Sequence, residues 1–179
     1  MNPNMTARLM TLADRLNALN WKMGTAESCT GGAIATEVTE MAGASSWFAG
    51  GIVAYDNAVK QDVLNVDAQV LGSNGAVSEP VVAQMALGGL KILPANIVVA
   101  VSGIAGPSGG SAEKPVGTVC LAWGWRDASG TSRTRTYRTQ INGSRQDVRQ
   151  RSVELALDGL IVVCDYVKLN LNVPAVIFE

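Results

Sequence analysis

The sequence predicts a single α/β domain, with a mixed β-sheet flanked by helices, a C-terminal β-hairpin and a long final helix. The first observation is length, because 179 residues is the size of one ordinary globular domain. The second is that segments with helical spacing alternate with short apolar runs typical of strands. The third is a turn signal between two strand-like runs, which adds an antiparallel hairpin. We expect one domain over 1–179, with its core at about 6–168 and a tail at 169–179.

The first half of the chain shows helical leucine spacing at Leu9, Leu12, Leu16 and Leu19, and then shorter elements. A mostly apolar run, Gly51 to Tyr55, predicts a buried strand. The elements expected here are a helix over 6–19, a short strand-like run at 21–26, a helix over 33–41, the strand at 51–55, and a helix capped by Asn57 that reaches about residue 64.

The second half begins with a helix start at Ser78, where a capping hydroxyl precedes an acid and a proline. The near-continuous apolar run at 97–102 predicts a strand covered on both faces. The remaining elements expected are a glycine-rich loop over 103–115, a hairpin of strands 117–125 and 131–137, and a helix from 145 to about 169. Because the second hairpin strand is so polar, we expect it at an edge of the sheet or with one face in solvent.

Composition excludes several classes of function. With 14 basic and 15 acidic residues, the net charge of −1 gives no reason to expect nucleic acid or an anionic membrane as partner. The chain contains no histidine, which excludes Ser-His and Cys-His triads and every histidine-ligated zinc site. A catalytic base would therefore be Lys, Asp, Glu, Tyr, a water or a cofactor.

The cysteines indicate a reducing compartment. Cys29, Cys120 and Cys164 lie far apart and form no CxxC motif, which disfavours thiolate metal sites and redox dithiols. An odd number of cysteines in a chain of this length favours reduced thiols. Neither a signal peptide nor a stretch long enough to span a membrane is visible. We expect a cytoplasmic protein without bound metal or cofactor.

Short polar or glycine-rich segments follow the strand-like runs, where ligands bind in open α/β sheets. Ser28 lies at a strand-to-helix turn that continues into Gly31 and Gly32. The backbone N–H groups of these glycines could hold a phosphate or an oxyanion. Alternatively, Ser28 or Thr30 simply caps a helix, and spacing alone favours this interpretation. Without a histidine to activate it, Cys29 is better read as a small core residue.

Lys60 would fall in the first turn of a helix capped by Asn57, where the helix dipole disfavours a cation. Burial would lower its pKa further, and a lysine of low pKa can act as general base. The alternative is a solvated surface lysine, which the sequence by itself favours. Tyr55 could orient such a lysine, or be an ordinary half-buried strand residue.

Two further segments could contact a ligand. The loop at 103–110 is rich in glycine but matches neither GxxxxGK[ST] nor GxGxxG. It therefore indicates only that the backbone lies close to a ligand or to another chain. Arg145 follows Gly143-Ser144 at the start of the last helix and is a candidate anion clamp. A surface arginine is the alternative for Arg145.

Six segments, in this order, resemble the CinA C-terminal family of nicotinamide-nucleotide amidases (PncC-type). They are AESCTGG (26–32), VAYDNAVK (53–60), GAVSE (75–79), VSGIAGPSGG (101–110), KPVGTV (114–119) and GSR (143–145). The resemblance covers about residues 6–168 and implies an α/β fold and hydrolysis of the carboxamide of nicotinamide mononucleotide to nicotinate mononucleotide and ammonia. Some relatives carry an additional N-terminal domain, and this sequence resembles the stand-alone form.

The resemblance also implies roles for individual residues. Ser28, Lys60 and Tyr55 match the proposed catalytic group of the family. The residues expected to bind the nucleotide substrate are Thr30, Gly31, Gly32, Ser102, Gly103, Gly106 and Arg145. The chain departs from the usual pattern at Ser102 (commonly threonine), at Asp56 (often serine) and at Ser144 (usually Asp or Asn). Asp56 could raise the pKa of Lys60 and weaken it as a base. The alternative function is a weakly active or inactive paralogue that serves as a nucleotide-binding regulatory module.

Surplus apolar surface predicts a homo-oligomer, with a dimer as the commonest closed form. Charged residues make up only 16% of the chain, and large aromatic side chains stand next to glycines at Trp47, Phe48, Trp123 and Trp125. The tail at 169–179 ends in an apolar run and needs a surface to lie on. That surface is either the tail's own domain or a neighbouring subunit.

Overall fold

A computed structural model describes residues 3–174 and 178. The helices are α1 (Pro3–Leu19), α2 (Ala33–Thr39), α3 (Asn57–Asp62), α4 (Ala68–Asn74), α5 (Glu79–Ile92) and α6 (Arg145–Lys168), with a short 3-10 turn at Ala44–Ser46. The strands are β1 (Met23–Glu27), β2 (Phe48–Val53), β3 (Ile97–Gly103), β4 (Thr118–Arg126) and β5 (Ser132–Gln140). None of the helices within the described residues is long and apolar enough to cross a membrane.

The strands form one mixed sheet in the order β2-β1-β3-β4-β5. Strand β1 pairs in parallel with β2 and β3, so that Ala26 lies opposite both Ile52 and Ala100. Strands β3, β4 and β5 are antiparallel, and Ala100 lies opposite Ala122. The three parallel strands therefore end at the same edge of the sheet.

Helices cover both faces of this sheet. Helices α1, α2 and α6 bury one apolar face with Val99, Val101 and Leu121, while α4 and α5 bury the other with Val98 and Ala100. Neighbouring residues of β3 thus point into opposite cores, as expected of a strand buried on both sides. The α/β class and its mixed sheet are confirmed, as are the fully buried run in β3 and the edge position of the polar strand β5.

Two local expectations were wrong, and one helix was missed. The run at 51–55 is not a buried strand: β2 is an edge strand, and Val53 is 49% exposed. The N-cap of α3 is Asp56 rather than Asn57, because its carboxylate accepts a 2.8 Å hydrogen bond from the Ala58 N–H. Helix α4 was missed. It begins after Asp67, whose carboxylate accepts bonds from the N–H groups of Gln69 and Val70.

The four aromatic residues expected at an interface do not form a surface patch, and Phe48 packs partly buried against the core. Trp47, Trp123 and Trp125 are buried in the core, and the indole N–H of Trp123 donates to the carbonyl oxygen of Ala156 at 2.9 Å. Their proposed role in an interface was therefore wrong.

The described part of the tail lies on its own domain. Val173 is buried, and the guanidinium of Arg135 donates to the carbonyl oxygens of Val173 and Pro174. Phe178 packs edge-on against Tyr137 and Trp123. Residues 175–177 of the apolar run, and residue 179, lie outside the described residues.

Candidate active site

A small cavity lies where β1 and β3 end. Strand β1 has β2 on one side and β3 on the other, and open α/β sheets bind ligands beyond such a switch point. The cavity has a volume of about 210 Å³. Its lining residues come from several separate segments: Ser28, Cys29, Tyr55, Asn57, Lys60, Ala76, Val77, Ser102, Gly103, Ala105 and Arg145.

Ser28 is the first residue after β1. Its N–H donates to the carbonyl oxygen of Val101 at 3.0 Å, so it continues the β1–β3 pairing by one residue. The residue is 8% exposed and its side chain lines the cavity. Within the described residues its hydroxyl makes no hydrogen bond, which leaves both its proton and its lone pairs available to a ligand.

Cys29 is buried beside Ser28, and burial raises the pKa of its thiol to about 12. The thiol is therefore protonated at neutral pH. A protonated, buried thiol is a poor nucleophile, in agreement with the core role expected for Cys29.

Lys60 is buried, contrary to the solvated lysine that the sequence favoured. Only 1% of the residue is exposed, and its Nζ donates to the carbonyl oxygen of Tyr55 at 3.0 Å. Burial lowers the pKa of Lys60, and the nearby carboxylate of Asp56 opposes this shift without cancelling it. The carboxylate of Asp56 accepts a hydrogen bond from the Ala58 N–H and forms no ion pair with Lys60 within the described chain.

Tyr55 contributes two different groups. Its carbonyl oxygen holds the amine of Lys60, while its hydroxyl accepts a long bond of 3.4 Å from Nη2 of Arg145. The residue as a whole is 58% exposed. It is thus the main chain of Tyr55, and not its phenol, that orients Lys60.

Arg145 begins α6 and points across the mouth of the cavity. Its Nη1 donates to the carbonyl oxygen of Gly106 at 3.0 Å. Within the described residues it is in no ion pair, so its charge remains available to an anion. Ser144 forms a capping box with Asp147, which fixes the helix end that carries Arg145. The unusual serine at this position therefore still caps α6.

The expected anion site at the start of α2 is already occupied by Glu27. This carboxylate is fully buried at the end of β1. It accepts bonds from the Thr30 hydroxyl at 2.7 Å, the Gly32 N–H at 3.0 Å, and the N–H groups of Ile34 and Ala35. The Gly31 N–H donates to the carbonyl oxygen of Ser28. These donors are therefore already engaged within the protein.

The structure separates the expected site residues into two groups. Six of them line the cavity: Ser28, Tyr55, Lys60, Ser102, Gly103 and Arg145. Four do not: Thr30, Gly31 and Gly32, whose donors serve Glu27 and Ser28, and Gly106, whose carbonyl holds Arg145. At these four positions, hydrogen bonds within the protein already engage a side-chain or main-chain group, and their direct contact with substrate remains a prediction.

Sequence reasoning missed two residues next to the site, Glu27 and Arg149. Arg149 lies one helical turn after Arg145 and donates from Nη2 to the carbonyl oxygen of Thr30 at 2.7 Å. The i,i+4 spacing of the two arginines at the start of α6 was a usable signal, because it places both on one helix face. An acidic residue at the end of a buried strand was the corresponding signal for Glu27.

Comparison with known proteins agrees with this architecture. The family model of the CinA C-terminal domain matches residues 6–164. A nicotinamide-nucleotide amidohydrolase PncC of Pseudomonas putida is 46% identical over 161 residues, which cover 90% of this chain and 97% of that protein. A crystal structure of competence/damage inducible protein CihA from Agrobacterium tumefaciens superposes with a TM-score of 0.84 at 39% identity, covering 92% of this chain and 98% of the other.

Longer relatives share the domain as well. A CinA-like protein of Mycolicibacterium gilvum is 50% identical over 135 residues, and this chain spans 31% of its length. A family model that covers most of the chain, together with full-length relatives well above 30% identity, establishes the family. The chain belongs to the CinA C-terminal domain family.

Proposed function

We propose that this chain hydrolyses the carboxamide of nicotinamide mononucleotide, giving nicotinate mononucleotide and ammonia, and so serves pyridine-nucleotide recycling. The observation that carries the proposal is that a buried amine and an unbonded hydroxyl, those of Lys60 and Ser28, line one cavity. Relatives that align along most of this chain bear the name nicotinamide-nucleotide amidohydrolase.

Acylation begins with Ser28. Its oxygen forms a bond to the carboxamide carbon while the neutral amine of Lys60 takes the hydroxyl proton. The carbon–nitrogen bond then breaks, the departing nitrogen takes a proton from Lys60, and ammonia leaves. The nicotinoyl group stays on Ser28 as an ester, and Lys60 is again neutral.

Hydrolysis of the ester repeats these steps with water. Lys60 takes a proton from the attacking water, whose oxygen bonds to the ester carbon, and the Ser28 oxygen leaves with that proton. The carboxylic acid product is released and loses its proton to solvent, and the enzyme returns to its starting state. The same lysine thus serves as base and acid in both halves, as expected where no histidine is present.

The oxyanion is assigned to the main chain of Gly103. Backbone groups of residues two apart on a strand face the same side. Since the carbonyl of Val101 accepts from the Ser28 N–H, the N–H of Gly103 also faces the Ser28 loop. Arg145, at the cavity mouth, supplies the charge for the nucleotide phosphate.

The ion pairing of Lys60 bears on the alternative, a regulatory module without catalysis. A lysine turned to solvent or paired with Asp56 would favour that alternative, and Lys60 is instead buried on the carbonyl of Tyr55. A direct hydrogen bond between Lys60 and Ser28 would favour the enzyme further, and none is formed in this structure. No observation favours the regulatory module.

Ammonia release tests the proposal. Purified protein is incubated with nicotinamide mononucleotide, and ammonia and nicotinate mononucleotide are measured in equal amounts over time. Free nicotinamide and nicotinamide adenine dinucleotide are tested separately as comparison substrates. Binding of nicotinamide mononucleotide without ammonia release would contradict the amidase and favour the regulatory module.

We further propose that the protein is a cytoplasmic homodimer. The buried free thiols of Cys29, Cys120 and Cys164 support a reducing compartment. With Trp47, Trp123 and Trp125 buried, support for a dimer comes from exposed apolar side chains at and just after the end of the edge strand β2, Val53 and Tyr55. Light scattering across a dilution series tests it, and a mass near 18.7 kDa throughout would contradict a dimer.

A further inference from the structure

We propose that Glu27 and Arg149 are positioning residues that hold the Ser28 loop from opposite ends. The inference rests on the proposed function for its catalytic consequence. It concerns the loop at 28–32, which connects β1 to α2 and presents the Ser28 hydroxyl to the cavity. Neither Glu27 nor Arg149 lines that cavity, so both act through the loop.

Glu27 fixes the loop from the strand side. Both of its carboxylate oxygens are bonded, one to Thr30, Gly32 and Ile34 and the other to Ala35. A buried carboxylate is costly unless donors surround it. Here the free N–H groups at the start of α2 supply them, so the strand end and the helix start are tied across the loop.

Arg149 fixes the loop from the helix side. Its Nη2 donates to the Thr30 carbonyl at 2.7 Å, and this is a bond to a charged donor. Thr30 is thus held twice, by its hydroxyl on Glu27 and by its carbonyl on Arg149. The same helix carries Arg145 one turn earlier, which contacts Gly106 and Tyr55. Helix α6 therefore fixes the position of the loop after β1 relative to the loop after β3.

The consequence concerns the alignment of Ser28 more than substrate affinity. A hydroxyl nucleophile must lie in line with the carboxamide carbon and within reach of its base. Loosening Thr30 releases the segment two residues after Ser28 while leaving the cavity lining unchanged. Loss of either contact should therefore lower kcat and leave KM nearly unchanged.

The experiment compares Arg149→Met, Arg149→Lys and a matched control on the same helix. Arg151→Met removes an arginine that pairs with Glu154 and does not line the cavity. A lysine at 149 can still donate one bond to a carbonyl, so it should restore most of the rate. Glu27→Gln provides the second arm, because it keeps the shape of the side chain and removes its charge. Steady-state ammonia release is measured together with hydrogen–deuterium exchange of the peptide covering 28–35.

We expect Arg149→Met to lower kcat about 10- to 100-fold, since small misplacements of reacting groups cost rates of that order. KM should stay within about twofold, and exchange in the 28–35 peptide should quicken about fivefold, as for loss of one hydrogen bond. Glu27→Gln should change the rate and the exchange in the same direction. Arg149→Lys and Arg151→Met should resemble the wild type in both measurements.

Three results would overturn the proposal. The first is that Arg149→Met keeps the kcat and the exchange rate of the wild type. The second is that Arg149→Met raises KM and leaves kcat unchanged, which would make Arg149 a substrate-binding residue. The third is that Arg149→Met and Arg151→Met have equal effects. If the wild-type protein releases no ammonia, the proposed function fails, and the exchange measurement alone decides whether the two residues hold the loop.

Discussion

The amine of Lys60 is bonded to the carbonyl oxygen of Tyr55, five residues earlier, at 3.0 Å. A carbonyl dipole neutralises a buried ammonium much less than a carboxylate does. Burial therefore dominates, and the pKa of Lys60 lies below that of an ordinary lysine. The fold thus offers Lys60 as the candidate base in a chain that contains no histidine.

Amidase turnover should rise with pH. The active form of Lys60 is neutral, and its neutral fraction increases as the pH passes upward through the lowered pKa. Initial rates from about pH 5 to pH 10 measure this rising limb of the pH–rate profile. Lys60→Met should remove the limb together with most of the activity. A flat profile in the wild type, or full activity in the methionine variant, would contradict the assignment.

Asp56→Ser should move that limb to lower pH. The carboxylate of Asp56 raises the pKa of Lys60, so removing its charge lowers the pKa further. Serine caps helix starts as aspartate does, so α3 should keep its N-cap. The same rate profile checks the shift, and a limb that stays in place or moves upward would contradict it.

Ser28→Ala should abolish amide hydrolysis, with a loss of about a thousandfold or more, the order seen when a nucleophile is removed. The hydroxyl makes no hydrogen bond within the described residues, so the variant should melt within about 2 °C of the wild type. Ser46→Ala is a matched control, because Ser46 is exposed and bonds only to the Gly43 carbonyl. Retained turnover in Ser28→Ala would show that another group attacks the carboxamide.

Much of the fold follows from local patterns, whereas the contacts within the site depend on long-range packing. The buried run of β3 and the polar edge strand β5 could be predicted because each has a clear hydropathy pattern. The edge position of β2 could not be predicted, because its apolar residues resemble those of a buried strand. Val53 is exposed because the strand order places β2 at the edge of the sheet.

The same distinction holds for the site. The motifs pointed to Ser28 and Lys60, which line one cavity, but no local pattern shows that Glu27 already occupies the start of α2. That contact depends on how β1, the loop and α2 fold together. The burial of Lys60 likewise depends on distant segments that meet around the cavity, among them those of Ser28 and Ser102, so the sequence by itself favoured a solvated side chain.

Lys60→Met should be more stable than the wild type near neutral pH. The unfolded lysine binds a proton more strongly than the folded one, so wild-type stability rises with pH between the lowered pKa and the ordinary lysine value. Methionine has no such dependence. Its advantage in melting temperature should therefore be largest at or below the lowered pKa and shrink towards about pH 10. A difference in melting temperature that stays constant across this range, or a variant less stable than the wild type, would contradict the conclusion that burial destabilises the ammonium form of Lys60.

Gly159→Ala should destabilise the protein although alanine favours helices. Helix α6 crosses the sheet with Gly159 directly over Trp123, and an added methyl group would overlap the Cζ2 and Cε2 atoms of that indole. The ring cannot easily move, because it is fully buried and its N–H is bonded to the Ala156 carbonyl. Overpacking of this kind costs about 1–3 kcal/mol, which exceeds the gain of up to about 1 kcal/mol in helix propensity. Urea unfolding measures the difference in the free energy of unfolding.

Gly72→Ala in α4 is the matched control, since its methyl group would meet open space and the variant should be as stable as the wild type or more so. Equal stability of the two variants would mean that α6 and β4 are not in this close contact.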